Sequence, residues 1–316
     1  MGSNTHGSTQ RVIVTRFGRW IRRWWGGCLL CACLAPAAEA EPAAESGPGA
    51  ASTLQARYLV LQPQLENSPF RRSLHLVSTE SPLQLQGEVY VVMNYPMSVI
   101  SQAFTDPAHW CDVLILHINT KYCRAAIRPA GSQLAVRIGK KDFQPLAQAA
   151  LVEFDYRVGS NSDEYFDVGL YAENGPMSTS NYRIRLEAVA LQEGKTFLHI
   201  TYAYAYNRRG QLAMQMYLAT LGRDKVGFTL VTPAAGGPPQ PIRGVRGVVE
   251  RNTMRYYLAM EAYLGGLSAP PAQRVERRLQ SWHSATEMYA RQLHEVDLNT
   301  YLDMKRRELV RQQTQP

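Results

Sequence analysis

The stretch GEVYVVMNYPMSVISQAFTDPAHW, residues 87–110, passes through three kinds of local order. GEVYVVMN (87–94) is rich in β-branched and aromatic residues, the composition of a strand. YPMSVISQAFTD then reads as a helix: Pro96 suits its first turn, and Val99, Ile100, Ala103 and Phe104 fall on one face. Asp106-Pro107 starts a second helix, predicted to run to about residue 117. A strand leading directly into two short helices is the opening around which the rest is arranged.

Beyond it, strands are predicted at 120–128, 133–139, 149–158, 164–173, 181–192, 196–206, 211–221 and 226–232. Their alternation is clean. Val152, Phe154, Tyr156 and Val158 oppose Glu153, Asp155 and Arg157, and Tyr182, Ile184, Leu186 and Ala188 oppose Arg183, Arg185 and Glu187. Leu198, Ile200, Tyr202, Tyr204 and Tyr206 oppose Phe197, His199, Thr201, Ala203 and Ala205. QLAMQMYLA sets Leu212, Met214, Met216 and Leu218 on one side, and YNRRGQ (206–211) reads as the hairpin turn before it. Period two means an antiparallel sheet with one buried and one wetter face. A long apolar helix follows from Val245 to the stop at Gly265-Gly266. On the N-terminal side, RYLVLQPQL within 54–80 is read as an additional strand.

One strand, two short helices, six or more antiparallel strands and a long C-terminal helix is the helix-grip order. Gly87–Leu267 therefore resembles the START-like (SRPBCC) superfamily, which includes lipid-transfer domains, polyketide cyclases and birch-pollen-allergen-like proteins. Two local features carry the resemblance: the opening, with Pro96, Val99, Ala103, Asp106 and Trp110 in the family's order, and GVRGVVERNTMRYYLAMEAYLGGL at 244–267. It implies an α+β fold in which a curved antiparallel sheet wraps the long C-terminal helix and leaves an apolar tunnel between them. Phe154, Tyr156, Val168, Leu170, Ile184, Leu186, Tyr202, Tyr204, Met214, Met216 and Phe228 would line it from the sheet, and Tyr257 and Met260 from the helix. The alternative is that these side chains fill a solid core. The frequency of Met and Tyr on the inner face favours a cavity, since both suit irregular apolar ligands with a polar end.

The chain departs from the minimal fold at both ends. Arg11, Arg16, Arg19, Arg22 and Arg23, then WWGGCLLCACLAP and the cleavage motif Ala38-Glu39-Ala40, have the order of a secretory signal over residues 1–40. Leu30-Cys31-Ala32-Cys33 is an imperfect lipoprotein-like box that would anchor the chain through Cys33, and Arg22-Arg23 loosely resembles a twin-arginine signal. EPAAESGPGAAS is expected to be a flexible linker, placed at 41–56, ahead of a domain spanning 57–267. Residues 268–316 read as a helical arm, whose Val275, Leu279, Trp282, Thr286, Tyr289, Leu293 and Val296 form a seam at alternating spacings of four and three. That seam fits the chain's own domain, a partner helix or a second copy.

Export governs the reading of the cysteines. Once the signal is removed, Cys111 and Cys123 remain, and an even pair in an oxidising compartment reads as a disulfide. A helix leaving Cys111 and a strand returning to Cys123 bring the two to similar heights. The alternative, zinc held by His109, Cys111, His117 and Cys123, lacks close ligand pairs.

The formal charge of +8 falls to about +4 without residues 1–40, and the remaining basic residues are scattered among acids, unlike a nucleic-acid footprint. No phosphate loop, nucleophile elbow or metal spacing is present, so neither a cofactor nor a metal is expected. The leading expectation is an exported, periplasmic carrier of a lipid or other hydrophobic molecule. A cyclase-like enzyme on the same fold, and an envelope interaction protein using the C-terminal arm, are the alternatives. His199 is expected on the face away from Tyr202 and Tyr204.

Overall fold

A computed structural model describes residues 48–128, 131–220, 222–233 and 236–314. The signal segment, its cysteines and the first part of the linker lie outside the described residues. The elements run α1 (Pro48–Glu66), β1 (Leu74–Ser81), β2 (Gln84–Met93), α2 (Met97–Phe104), α3 (Pro107–Leu114), β3 (Thr120–Ala126) and β4 (Ser132–Ile138). Then come β5 (Ala150–Asn161), β6 (Tyr165–Asn174), β7 (Thr179–Ala190), β8 (Thr196–Tyr206), α4 (Arg208–Ala219), the short pair β9 (Leu230–Val231) and β10 (Gln240–Pro241), and α5 (Gly244–Gly266). The C-terminal helices are α6 (Pro271–Glu287), α7 (Ala290–Leu293) and α8 (Leu298–Thr314).

Eight strands form one open antiparallel sheet in the order β1-β2-β8-β7-β6-β5-β4-β3. Register shifts interrupt β5–β6 at Val158/Ser160 and β7–β8 at Ser180/Arg183, and such bulges bend a strand. The inner face packs over α5, with α2 and α3 covering the rest. This is a helix-grip arrangement, an antiparallel sheet packed over a long helix near the C-terminus, as expected. Local chemistry explains the opening. The Asp106 carboxylate accepts from the Ala108 N–H at 2.8 Å, capping α3 with Pro107 in its first turn, and the Trp110 indole N–H donates to the Phe104 carbonyl at 3.0 Å.

Four expectations are corrected. RYLVLQPQL belongs to α1, not to a strand: Leu54, Leu61 and Leu65 recur at helical spacing and are buried on the outer face of the sheet against Tyr90, Val189 and Phe197. The same helix begins at Pro48, so the second half of the expected linker is helical. Of the strand expected at 211–221, residues 211–219 form most of α4 instead. Gln, Leu, Ala and Met are helix formers without β-branching, and Asn207, read as part of a hairpin, is the N-cap, its side chain accepting from Arg209 and Gly210 N–H groups at 3.0 Å. Of 226–232 only Leu230–Val231 is a strand, because the N–H groups of Phe228 and Thr229 turn to the buried Glu250 carboxylate instead of a ladder.

The C-terminal arm packs on its own domain. Trp282 of α6 stacks on Tyr301 of α8 with ring centroids 5.0 Å apart, and its indole N–H donates to the Arg255 carbonyl of α5. Beneath α8, Glu308 bridges Lys121 at 3.0 Å and Lys305 at 2.8 Å, all three side chains fully buried. Lys305 also donates to the carbonyls of His117 and Thr120. Further along α8, Gln312 accepts from the Cys123 N–H at 3.0 Å and Arg311 donates to the Lys121 carbonyl at 2.6 Å.

Candidate ligand-binding site

Phe154, Tyr156, Val168, Leu170, Ile184, Leu186, Tyr202 and Tyr204 do share the inner face of β5 to β8, and Tyr257 and Met260 are buried on α5 in the same core. They pack tightly, with no exposure above 6%. A tunnel of ligand size would leave its walls accessible, so here the side chains expected to line the space occupy it. Two cavities, of about 660 and 460 Å³, open on the surface. Met214 and Met216 do not reach this face: they lie on α4, where Met216 is exposed. Phe228 sits in the loop after α4, packed against Phe70 and Tyr289.

At one end of the grip the filling is aromatic. Tyr182 stacks on Tyr204 at 5.2 Å, Tyr204 meets Tyr202 at 5.6 Å, and Tyr202 meets Tyr256 of α5 at 5.1 Å. Tyr182 and Tyr256 were missed in the lining set. Tyr182 has the parity of Ile184 and Leu186 and was legible; Tyr256 is revealed only by the rotation of α5. Tyr257 points its hydroxyl elsewhere, donating to Glu261 at 2.9 Å. Burial pushes all four cluster phenols up from their ordinary value, so they stay neutral, able both to donate and to accept.

Helix α4 follows β8 directly and packs against β8, α5 and the turn before β7. Its hold is slight. Gly210, against the carbonyls of Met177 and Ser178, is its one buried residue, while Leu212 and Met216 are exposed. Few buried apolar contacts place a segment at the low end of local stability.

On β5 the inner face is pinned to the helices. The Tyr156 hydroxyl is within hydrogen-bonding distance of the carbonyls of Phe104 (2.8 Å) and Thr105 (2.7 Å), tying β5 to the α2–α3 turn. Outside that turn lies the 660 Å³ cavity, bounded by Ser101, Thr105, Asp106, His109 and Asn161 among others. The Cys111–Cys123 disulfide, with Cα atoms 5.2 Å apart, staples α3 to β3. It removes the thiolates a zinc site would need. His117 is buried and stacked on Tyr256 at 5.0 Å, and burial holds it well below the usual imidazole range.

On the outer face, His199 lies between two carboxylates, Glu187 at Nδ1 and Glu88 at Nε2, each at 3.0 Å, with Tyr90 stacked on its ring at 4.3 Å. Two carboxylates accept from both ring nitrogens only when both carry protons. Burial opposes that charge, but the hydrogen bonds to Glu187 and Glu88 outweigh it and raise the imidazole above its ordinary value. The network continues through Tyr165, which donates to Glu187 at 2.8 Å, and Arg185, beside Asp167. Among the described residues no group of three or more His, Cys, Asp or Glu is placed to hold a metal ion, and no helix is long and apolar enough to cross a membrane.

No family model matches the chain, and no curated protein matches it. Among solved structures it is similar to CalU16 from Micromonospora echinospora, at 12% identity over 67% of this chain and 96% of that one, with a TM-score of 0.31. It is similar to norcoclaurine synthase from Thalictrum flavum, at 10% identity over 47% and 80%, TM-score 0.29. It is also similar to a conserved protein from Geobacillus kaustophilus, at 12% identity over 44% and 85%, TM-score 0.29. These likenesses bring no residue role to this chain.

Proposed function

We propose that the protein is an exported carrier for a hydrophobic molecule with a polar end, such as a lipid or sterol-like compound, received among Tyr182, Tyr202, Tyr204 and Tyr256. The observation that carries this reading is a cluster of buried tyrosines at the end of the grip next to α4, a helix with one buried residue. Displacing α4 would open the cluster. The ligand would then take the place of side-chain contacts, gaining roughly 25 cal/mol per Å² of apolar surface removed from water. Opening lowers the apparent affinity by the fraction of molecules in the open state. Carriage fits these groups better than catalysis, because phenols raised by burial are poor proton shuttles near neutral pH. The disulfide is compatible with an oxidising compartment.

Native mass spectrometry of gently purified protein, together with displacement of a fluorescent fatty acid, tests the reading. A bound hydrophobic mass is expected, and α4 amides should exchange faster than those of β7 and β8 until ligand is added. An empty protein that binds no fluorescent lipid, with α4 as protected as the sheet, would overturn it.

A further inference from the structure

Three glycines lie inside strands of the sheet, Gly87, Gly159 and Gly169. A Cβ on Gly87 would overlap Thr253 of α5, and one on Gly159 would overlap the Asp167 carboxylate, so packing accounts for both. Gly169 differs. It sits within β6 on the outer face, outside the left-handed region, and among the described residues nothing stands within 4 Å of where its Cβ would be. A glycine inside a strand weakens it and offers nothing to pack, and it often marks a close approach by another group. Here no group of the described residues makes that approach.

The register surrounds this bare position with guanidinium groups. Gly169 pairs with Arg157 on β5 and with Arg185 on β7, which places the two arginine Cα atoms about 10 Å apart across it. In the next row Asp155, Tyr171 and Arg183 face one another across the same strands. Together they bound the 460 Å³ cavity. Arg185 is oriented by Asp167 at 3.4 Å and Glu187 at 3.3 Å, while Arg157 has no acidic partner among the described residues. Asp155 accepts from the Gln133 amide at 3.0 Å, and the Tyr171 hydroxyl donates to Asn181 at 3.0 Å.

We infer that this cup binds a phosphate group, with Arg157 and Arg185 closing on it from either side above Gly169. A planar guanidinium matches phosphate geometry, and an arginine already oriented loses less freedom on binding. Asp155, one row away, directs the rest of the molecule: the end facing it is neutral or cationic, as in a phosphoethanolamine group. The site is separate from the interior of the grip and stands whether or not that interior carries a ligand. The source of the phosphate is either a free ester or a lipid headgroup.

Titration calorimetry with inorganic phosphate and phosphoethanolamine, and flotation with phosphatidylethanolamine–phosphatidylglycerol vesicles, separate these sources. Saturable binding of a soluble phosphate marks a free ester, and vesicle binding alone marks a headgroup. Either should weaken with salt and fall about tenfold in Arg157→Ala. The Cβ of Gly169→Leu would have open space among the described residues and its branches would occupy the cup, so it should abolish binding while the melting temperature holds. Arg157→Ala, on an exposed side chain, guards against a folding artefact. Absence of binding to all three probes, or binding that survives Gly169→Leu, would overturn the proposal.

Discussion

Gly87 of β2 and Thr253 of α5 meet so closely that a Cβ on the glycine would overlap the threonine hydroxyl. The grip helix touches the backbone of the sheet there, and Thr253 is fully buried, its hydroxyl donating to the Val249 carbonyl at 2.8 Å. Gly87→Val should therefore cost about 1–3 kcal/mol by overpacking. Urea unfolding measures it, and adding Thr253→Ala should return part of the loss through coupling of the neighbours. A neutral Gly87→Val would show that α5 shifts freely.

The His199 network makes stability depend on pH in two directions. Burial disfavours the Glu88 and Glu187 charges, but their hydrogen bonds to His199 prevail and lower both carboxyls from their ordinary value of 4.5. Their contribution is present above that value and is lost as pH falls through the depressed ones. His199 is raised above 6.5, so its contribution is complete below 6.5 and is lost as pH rises through the raised value. The network should stabilise most between these limits. His199→Gln should remove the decline on the alkaline side, seen in urea midpoints measured across pH; parallel curves for the two proteins would refute it.

Glu308 compensates two buried ammonium groups. Burial pushes Lys305 down to about 8 even with that carboxylate beside it. Glu308→Gln leaves both lysines without a carboxylate partner and should cost about 3–5 kcal/mol near neutral pH. The deficit should shrink as pH rises and the lysines give up their protons, which chemical denaturation at two pH values would reveal.

Reducing the Cys111–Cys123 bond frees a loop of sequence separation 12. Unfolding in the presence of dithiothreitol should show a loss of about 2–4 kcal/mol. The double variant Cys111→Ser, Cys123→Ser should match the reduced protein and gain nothing further from reductant.

Asn207 is the N-cap of α4, and Asn207→Ala should cost that helix about 1 kcal/mol. Hydrogen exchange should quicken across 208–219 and stay unchanged in β7 and β8. If exchange quickened throughout, α4 would not open by itself.

Most of the sheet was legible because side-chain parity is a local property. Tyr182, Ile184 and Leu186 announce a buried face in consecutive residues, and β8 has the predicted limits of 196–206. The tandem helices were legible from Pro96 and Asp106-Pro107. What failed was the choice of period where composition allowed two. QLAMQMYLA alternates as well as any strand here, but its lack of β-branching and the Asn207 cap were the local signals that favoured a helix. How far the interior opens was not legible for another reason: the same tyrosines line a tunnel or fill it according to how closely α5 approaches, and Gly87 records that approach only once Thr253 is placed. The cup at Gly169 needed register, since Arg157 and Arg185 are far apart in sequence and become neighbours of one glycine only through strand pairing.

An eight-stranded sheet that does not close leaves two borders, and an outer strand with unpaired peptide groups invites a strand from another molecule. At β3 that invitation is withdrawn by side chains: Gln312 takes the Cys123 N–H, and Arg311 and Lys305 take the carbonyls of Lys121 and Thr120. The last helix thus acts as a selvedge, keeping individual molecules from knitting together through their sheets where the protein is crowded.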